Sequence, residues 1–177
     1  NSGHNIATVE TQTDSFDNDN DELSSLPLPP FDISTLYTGT VEERRAALRD
    51  LKRLPRLLAH RVTEVVDQLT DESSILVISA LEGLKTLSAS VLAPHAESIA
   101  EQLQSTNSGA RYTASVTLQK LDPSVILGIL PTLLKLVDHD NRQYRYRAIH
   151  VAKQAAALFN SSHVKKVLPL LIDADRT

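Results

Sequence analysis

Histidine is the first residue type in this chain that could do chemistry. The sequence has six histidines and no cysteine, so imidazole would have to supply any nitrogen metal ligand or neutral-pH acid–base group. His60 and His95 lie 35 residues apart, but neither has a second histidine at the i, i+4 spacing of a helical metal site. His139 lies beside Asp140 in a predicted turn, where helix capping explains the carboxylate. We therefore predict solvent-facing histidines and no catalytic, metal-binding or cofactor-binding residue.

Two clusters of arginine could bind an anionic partner. The first lies in the first predicted helix pair, and the second alternates with tyrosine between residues 142 and 147. Basic and aromatic side chains together suit nucleic acid, but the net charge of the chain is −4, and Glu42 and Glu43 lie beside the first cluster. We therefore favour a protein partner over nucleic acid. The candidate binding residues of the two clusters are Arg44, Arg45, Arg49, Arg53, Arg142, Tyr144 and Tyr146.

Residues 9–14, with the sequence Val-Glu-Thr-Gln-Thr-Asp, form a third candidate site. The core Thr11-Gln12-Thr13 resembles the extended peptides that add a strand to the dimeric dynein light chain hub. In that binding mode the peptide backbone pairs with a sheet edge and alternate side chains enter pockets. The resemblance gives an alternative function for the chain, as a cytoskeletal or motor adaptor.

The segment that contains this core differs in composition from the rest of the chain. Residues 1–40 carry seven acidic side chains and no Lys or Arg, whereas 18 basic residues face 15 acidic ones from residue 41 onward. The run Leu26-Pro27-Leu28-Pro29-Pro30 favours an extended backbone. We predict that residues 1–40 form an extended acidic arm that is disordered alone. We expect a neighbouring chain or the rest of the protein to order it.

The elements that must position these candidates form an internal repeat. Alanine recurs at a spacing of 33 or 34 residues, and each copy is followed four residues later by another apolar residue. These positions are Ala47, Ala80, Ala114 and Ala148, followed by Leu51, Leu84, Leu118 and Ala152. Apolar residues at helical spacing on both sides of a break predict a pair of helices in each repeat. We place the four pairs at about residues 41–71, 74–105, 107–139 and 141–173.

Local signals indicate where the helices begin and where they break. Thr40 and Glu43 have the spacing of a capping box at the start of the first helix. Pro94 and Pro131 fall within second helices, where the missing N–H and the ring predict an irregular turn or a bend. The first repeat has no such proline inside its second helix, for which we predict a continuous helix from about Arg56 to Thr70.

The repeat resembles the HEAT repeat of the armadillo/HEAT α-solenoid class. The shared features are an Asp or Asn in the link between units, an Arg six or seven residues later, and the pattern Ala-x-x-x-Leu-x-x-Leu. The match is best around Asn107 and Arg111, and it departs in the second repeat, where Val77 takes the Arg position. The resemblance implies an all-α, right-handed solenoid in which neighbouring repeats are held together by Asp71, Asp138, Arg111 and Arg145.

The resemblance also implies a function by binding rather than by catalysis. We predict a non-enzymatic scaffold for protein–protein interaction, a structural or accessory subunit of a larger assembly or a fragment of one. It would bind other protein subunits through its repeats and its arm, without a cofactor and without a transmembrane segment. A HEAT-like lyase or regulatory protein that acts on a cofactor-bearing partner is a further alternative. We expect the second helices to line a groove through Arg61, Glu64, His95, Glu97 and Lys135.

Overall fold

The computed structural model describes residues 27–165. The candidate segment Thr11-Gln12-Thr13 and most of the last predicted helix lie outside the described residues. Within residues 27–165 the regular elements are all helical, and none of these helices is long and apolar enough to span a bilayer.

Contacts along the chain divide it into two units, Asn1–Pro30 and Phe31–Thr177. Residues 31–40, which the sequence analysis assigns to the arm, therefore lie in the second unit. This part of the chain forms a short helix, α1 (Thr35–Thr38), whose Leu36 side chain is completely buried. Burial of this leucine gives the segment a stabilising contact that its composition alone does not reveal.

Within residues 31–165, each of the four repeats begins with one long helix, and successive first helices pack directly against each other. The first helices are α2 (Val41–Lys52), α5 (Ser74–Leu84), α8 (Ser108–Leu118) and α11 (Arg142–Ala152). The second helices of the first three repeats are split into α3 (Pro55–His60) and α4 (Val62–Asp67), α6 (Ala89–Leu92) and α7 (Ala96–Glu101), and α9 (Pro123–Gly128) and α10 (Leu130–Val137). Short 3₁₀ turns occur at Gln68–Thr70, Ala93–His95, Gln102–Gln104 and Lys153–Leu158. Residues 161–165 are again helical.

The repeated alanine and its apolar follower form the centre of the packing between repeats. Ala80, Ala114 and Ala148 are completely buried, and Ala47 is nearly so. The followers at 51, 84, 118 and 152 are buried as well. A methyl side chain allows two helix axes to approach closely, and the longer leucines then fill the space beside the contact. The period seen in the sequence is therefore the period of the core.

The second helices of the first three repeats all break at an equivalent residue. Arg61, His95 and Ile129 have φ and ψ angles of −110° and 23°, −106° and 8°, and −91° and 6°, respectively. These values lie near the bridge region, outside the regular α-helix. The irregular turn and the bend predicted at the two prolines are confirmed, since Pro94 lies in a 3₁₀ turn and Pro131 lies in the first turn of α10.

The break in the first repeat occurs without a proline, so the prediction of a continuous helix from Arg56 to Thr70 is wrong. The Arg61 amide is shared between the carbonyls of Leu57 and Leu58, at 2.9 and 3.2 Å, as at the end of a helix. Because the break recurs with and without proline, it belongs to the repeat itself. Proline is tolerated near this position because the helical hydrogen bonding is already interrupted there.

Side-chain caps fix the starts of three of the four first helices, α2, α8 and α11. The predicted capping box is confirmed: the Glu43 amide donates to Thr40 Oγ1 at 3.3 Å, and the Thr40 amide donates to Glu43 Oε2 at 2.8 Å. Asn107 and Asn141 cap α8 and α11 through their side-chain oxygens, which accept amides of the first helical turn. These contacts satisfy backbone donors that have no partner inside the helix.

Arg111 and Arg145 fasten the links between repeats. Arg111 Nη1 donates to the carbonyls of Ser105 and Thr106, at 2.8 and 2.9 Å. Arg145 Nη1 donates in the same way to two carbonyls of the next link, at 3.0 and 2.7 Å. Each arginine thus holds the turn that precedes its own helix, in agreement with the structural role expected for both residues.

Asp138 does not share the role of Asp71. Asp71 Oδ1 accepts the Ser73 amide at 2.8 Å, whereas in the fourth repeat the Asn141 amide donates to His139 Nδ1 at 2.9 Å. The links to the third and fourth repeats have the same length, with three residues between Leu103 and Asn107 and three between Val137 and Asn141. His139 therefore occupies the position of Ser105, whose Oγ accepts the Asn107 amide at 3.3 Å, whereas Asp138 lies one residue earlier and is exposed. The expectation that Asp138 supports stacking is therefore not met.

We predict that Ala114→Leu lowers the free energy of unfolding by about 1–3 kcal/mol, because the added atoms enter a completely packed contact. Urea denaturation measures this change. Ala156→Leu is the matched control at an exposed position, and its effect should stay within about 0.5 kcal/mol. Equal losses in the two variants would contradict a special need for a small residue at position 114.

Candidate binding surfaces

A cleft of about 610 Å³ lies at the junction of the first two repeats. Three parts of the chain line it: the α1–α2 region, the turn that follows α4, and α7 with the turn after it. The lining residues are Tyr37, Arg44, Val66 to Glu72, Ser98, Glu101 and Gln102. Most of them are polar, so the cleft is suited to a ligand with polar or charged groups.

Arg44 and Asp71 hold one wall of the cleft in place. Arg44 Nη2 donates to Gln68 Oε1 at 2.6 Å and also pairs with Asp71 Oδ2. The Arg44 and Asp71 side chains are only 17% and 18% exposed. Burial opposes ionisation of Asp71, but the Ser73 amide and the Arg44 guanidinium outweigh it and hold the pKa of Asp71 below its usual range. Asp71 is therefore charged at neutral pH, and Arg44 is already engaged within the protein.

Tyr37 and Gln102 join further parts of the lining. The Tyr37 hydroxyl donates to Asp67 Oδ2 at 2.9 Å, and Gln102 Nε2 donates to the Leu69 carbonyl at 3.0 Å. Desolvation of the phenol, the hydrogen bond to Asp67 and nearby negative charge raise the pKa of Tyr37 to about 12. Tyr37 consequently remains a neutral donor over the physiological pH range. These two bonds tie α1 and the second repeat to the turn after α4.

Two further carboxylates of the cleft have no partner in the part of the chain that the structure describes. Glu72 and Glu101 are exposed, and neither makes a hydrogen bond or ion pair with its side chain among residues 27–165. Together with Asp67 and Asp71, these two residues give the cleft lining four carboxylates and one guanidinium, that of Arg44. The cleft therefore carries negative charge that is available to a cationic ligand.

The structure separates the four arginines that the sequence predicts as binding residues on the first helix. Arg44 is directed to the turn after α4, as described above. Arg45 and Arg49 are exposed one helical turn apart, and their side chains have no polar partner in the described part of the chain. Arg53 forms an exposed ion pair with Asp50, at 3.4 Å. Arg45 and Arg49 are thus the exposed members of this cluster without a polar side-chain partner between residues 27 and 165.

On the third and fourth repeats, arginine and tyrosine side chains interleave. The guanidinium carbon of Arg147 lies 5.3 Å from the ring centroid of Tyr112 and 5.6 Å from that of Tyr146. The guanidinium carbon of Arg111 lies 5.5 Å from the ring centroid of Tyr144. The predicted residues Tyr144 and Tyr146 therefore belong to a cluster that bridges α8 and α11. The sequence analysis missed Tyr112, although it occupies the same repeat position as Tyr146, 34 residues earlier.

The remaining predicted positions lie outside the cleft. Arg61 pairs with Glu64 at 3.2 Å, and Glu97 accepts the hydroxyl of Thr132 from the next repeat. The expected groove residues of the second helices are absent from the cleft lining. Arg142 is exposed in the first turn of α11. Residues 27–165 contain no group of three or more side chains that could hold a metal ion.

No protein-family model matches the sequence, and no curated protein matches it. Solved structures do match. An engineered protein has a TM-score of 0.58 and 18% identity, over 78% of this chain and 66% of its own length. A designed armadillo repeat protein in complex with the peptide (KR)4 has a TM-score of 0.56 and 16% identity, over 78% and 68% of the two chains. A further designed armadillo repeat protein has a TM-score of 0.55 and 16% identity, with the same coverage.

These likenesses establish the fold. The chain spans about two thirds of the length of each of these proteins. At a sequence identity below one fifth, a structural match supports a shared architecture but not a shared activity. The all-α solenoid predicted from the repeat is confirmed. The described part of the second unit has an armadillo/HEAT-like fold.

We predict that Asp71→Asn lowers the free energy of unfolding at neutral pH by about 1–2 kcal/mol, because Arg44 loses its charged partner. The folded-state pKa of Asp71 is lowered from 3.8, so its stabilising effect is present above that pH and is lost as the pH falls through the folded pKa. The gap between wild type and variant should therefore narrow in acid, as measured by urea denaturation at several pH values. Asp138→Asn, at an exposed carboxylate, is the control. A gap that stays constant in acid would contradict the ion pair.

Proposed function

We propose that this protein is a non-enzymatic scaffold for protein–protein interaction that binds a basic peptide segment of a partner in the cleft between its first two repeats. The observation that carries this proposal is the pair of exposed carboxylates, Glu72 and Glu101, in a cleft whose other charged groups are already engaged. Lys and Arg side chains of a partner would supply the missing cations.

The construction of the cleft favours a peptide over an isolated ion. A volume of about 610 Å³ is within the range of sites that enclose a ligand of several functional groups. Hydrogen bonds from Arg44, Tyr37 and Gln102 hold the walls, so little conformational entropy is lost when a ligand binds. A rigid acidic cleft of this kind can select basic side chains by charge and position.

The fold supports the same proposal by analogy. The designed armadillo repeat protein that shares the fold is in complex with (KR)4, a peptide of alternating Lys and Arg. Stacked helix pairs in such solenoids present extended surfaces to which a chain segment can bind. The analogy concerns the class of ligand, and the residues that would contact it in this protein are argued from its own cleft.

Catalysis has less support from the site. Among residues 27–165 the carboxylates with lowered pKa values are Asp32, Glu43, Asp71 and Glu82. Each is explained by hydrogen bonds or ion pairs that serve a helix cap, a turn or a contact between helices. A catalytic site, in contrast, places perturbed groups next to each other in a cleft with a nucleophile or base in reach.

We further propose that the protein is a subunit, or a fragment of a subunit, of a larger assembly. The acidic segment before the repeats would supply a second contact with a neighbouring protein. Two linked contacts bind more tightly than either alone, because the second forms at a high effective concentration. In this proposal the cleft supplies specificity for a basic segment, and the acidic segment adds affinity.

We predict that a fluorescently labelled (KR)4 peptide binds the full chain and that Glu101→Lys or Glu72→Lys each weakens binding about tenfold, because a favourable charge becomes a repulsive one. Fluorescence anisotropy measures the dissociation constants. Asp138→Lys is the matched control, since it makes the same charge change at an exposed carboxylate outside the cleft. Equal weakening by all three variants, or no binding to wild type, would contradict the proposed site.

A further inference from the structure

Arg147 lies between two tyrosine rings at the junction of the third and fourth repeats. Its guanidinium carbon is 5.3 Å from the ring centroid of Tyr112 on α8 and 5.6 Å from that of Tyr146 on α11. Tyr112 is 55% exposed and Tyr146 is 56% exposed, whereas Arg147 is half-buried between them. Large aromatic side chains are seldom left this exposed as a cluster unless they contact a partner.

The charge of Arg147 is not neutralised within the described residues. Its side chain makes neither a hydrogen bond nor an ion pair between residues 27 and 165. Neither α8 nor α11 contains Asp or Glu. Arg142, at the start of α11, is also exposed and has no polar side-chain partner in this range. The surface formed by Tyr112, Arg142, Tyr146 and Arg147, called the Arg–Tyr surface below, is therefore positively charged.

Arg111 and Arg147 differ in whether their guanidinium groups are available to a ligand. Arg111 lies over the ring of Tyr144 as well, at 5.5 Å, but its Nη1 is used by the carbonyls of Ser105 and Thr106. Arg147 has the ring contacts without such acceptors between residues 27 and 165. Contact with two rings restricts the guanidinium in advance and leaves its N–H groups able to donate to a planar acceptor.

We propose that the Arg–Tyr surface binds an acidic peptide segment of a partner protein. Carboxylates of Asp or Glu would accept hydrogen bonds from the guanidinium groups of Arg147 and Arg142, and the phenol hydroxyls of Tyr112 and Tyr146 would donate beside them. Planar carboxylate and planar guanidinium match in a bidentate pair. Exposed tyrosines supply large contact areas at small entropic cost, as in protein-binding surfaces generally.

The extent of the surface favours a peptide over nucleic acid. The helices α8 and α11 have 11 residues each, so the surface is about 16 Å long. It does not continue onto α5, the first helix beside α8, because α5 carries Glu82 and neither Lys nor Arg. Strong nucleic-acid binding draws on about 6–10 phosphate contacts, which a patch of this length does not offer. A short run of carboxylates is sufficient to cover it.

The test uses fluorescence anisotropy with a labelled peptide of alternating Asp and Glu, equal in length to (KR)4. We expect Arg147→Gln to weaken binding about tenfold, the loss of one charge-assisted contact. Arg147→Lys should give an intermediate loss, because it keeps the charge but not the planar stacking. Tyr146→Ala, at an exposed position, should weaken binding as well. Arg49→Gln is the control, since it removes an exposed arginine without a partner from a different helix.

Several results would overturn the proposal. These are no binding of the acidic peptide to wild type, equal binding by wild type and Arg147→Gln, or equal weakening by Arg147→Gln and Arg49→Gln. Tighter binding of a single-stranded oligothymidylate that Arg147→Gln abolishes would assign the surface to nucleic acid instead. Self-association that Arg147→Gln abolishes would assign it to a second copy of this chain.

Two control measurements separate a loss of binding from a loss of folding and from a change at the cleft. Thermal unfolding should show that each variant is folded, with at most a small loss of stability from the ring contacts of Arg147 and Tyr146. Binding of (KR)4 should be unchanged by Arg147→Gln, and binding of the acidic peptide should not be weakened by Glu101→Lys. Failure of the basic-peptide proposal and failure of the acidic-peptide proposal are thus distinguishable.

Discussion

The close contact between neighbouring first helices is the interaction on which the rest of the described fold depends. Ala80, Ala114 and Ala148 are completely buried, so each of these helices has a methyl group instead of a long side chain at this position of its buried side. This lets the backbones approach and lets the leucines one turn later fill the space on either side. Because each repeat mainly contacts its neighbours, the same helix packing recurs at each junction between repeats. Side chains that the stacking does not use remain available for binding.

The residue at one equivalent position of the four repeats has different roles in different repeats. Arg44, Val77, Arg111 and Arg145 are equivalent in the four repeats. In the last two, the arginine holds carbonyls of the link before its helix. In the first repeat it reaches forward to Asp71 and Gln68 instead, and in the second a buried valine replaces it. The forward contact of Arg44 makes the link to the second repeat a wall of the cleft.

Much of the fold can be predicted from the sequence, because the helix pairs and their spacing depend on local patterns. The alanine period, the capping box at Thr40 and the irregular turn at Pro94 each involve residues that are close along the chain. The break at Arg61 could not be predicted in this way, because it has no proline and belongs to the packing of the repeat. The burial of Leu36 was missed for a related reason: a single leucine in a polar segment has no period.

The binding surfaces were less predictable, because they combine residues that are distant along the chain. Tyr37, Arg44 and Glu101 meet in one cleft, whereas the sequence predicts only that Asp71 holds neighbouring repeats together. The basic character of α11 was visible, but the arrangement of Arg147 between Tyr112 and Tyr146 depends on how α8 and α11 stack. The available signal in the sequence was the spacing of 34 residues between Tyr112 and Tyr146. An exposed residue that recurs with the period of the core marks one continuous surface.

The two surfaces differ in charge and in construction, and this difference would allow one small solenoid to hold the two partners that we propose. The cleft is built by hydrogen bonds between successive repeats, such as that from Gln102 to Leu69, so it requires intact stacking of the first two repeats. The Arg–Tyr surface needs only the pairing of α8 with α11. Because the two sites share no residue, changes in one should leave the energetics of the other nearly unaltered. An acidic cleft and a basic surface also repel each other's ligands, so each partner is directed to its own site.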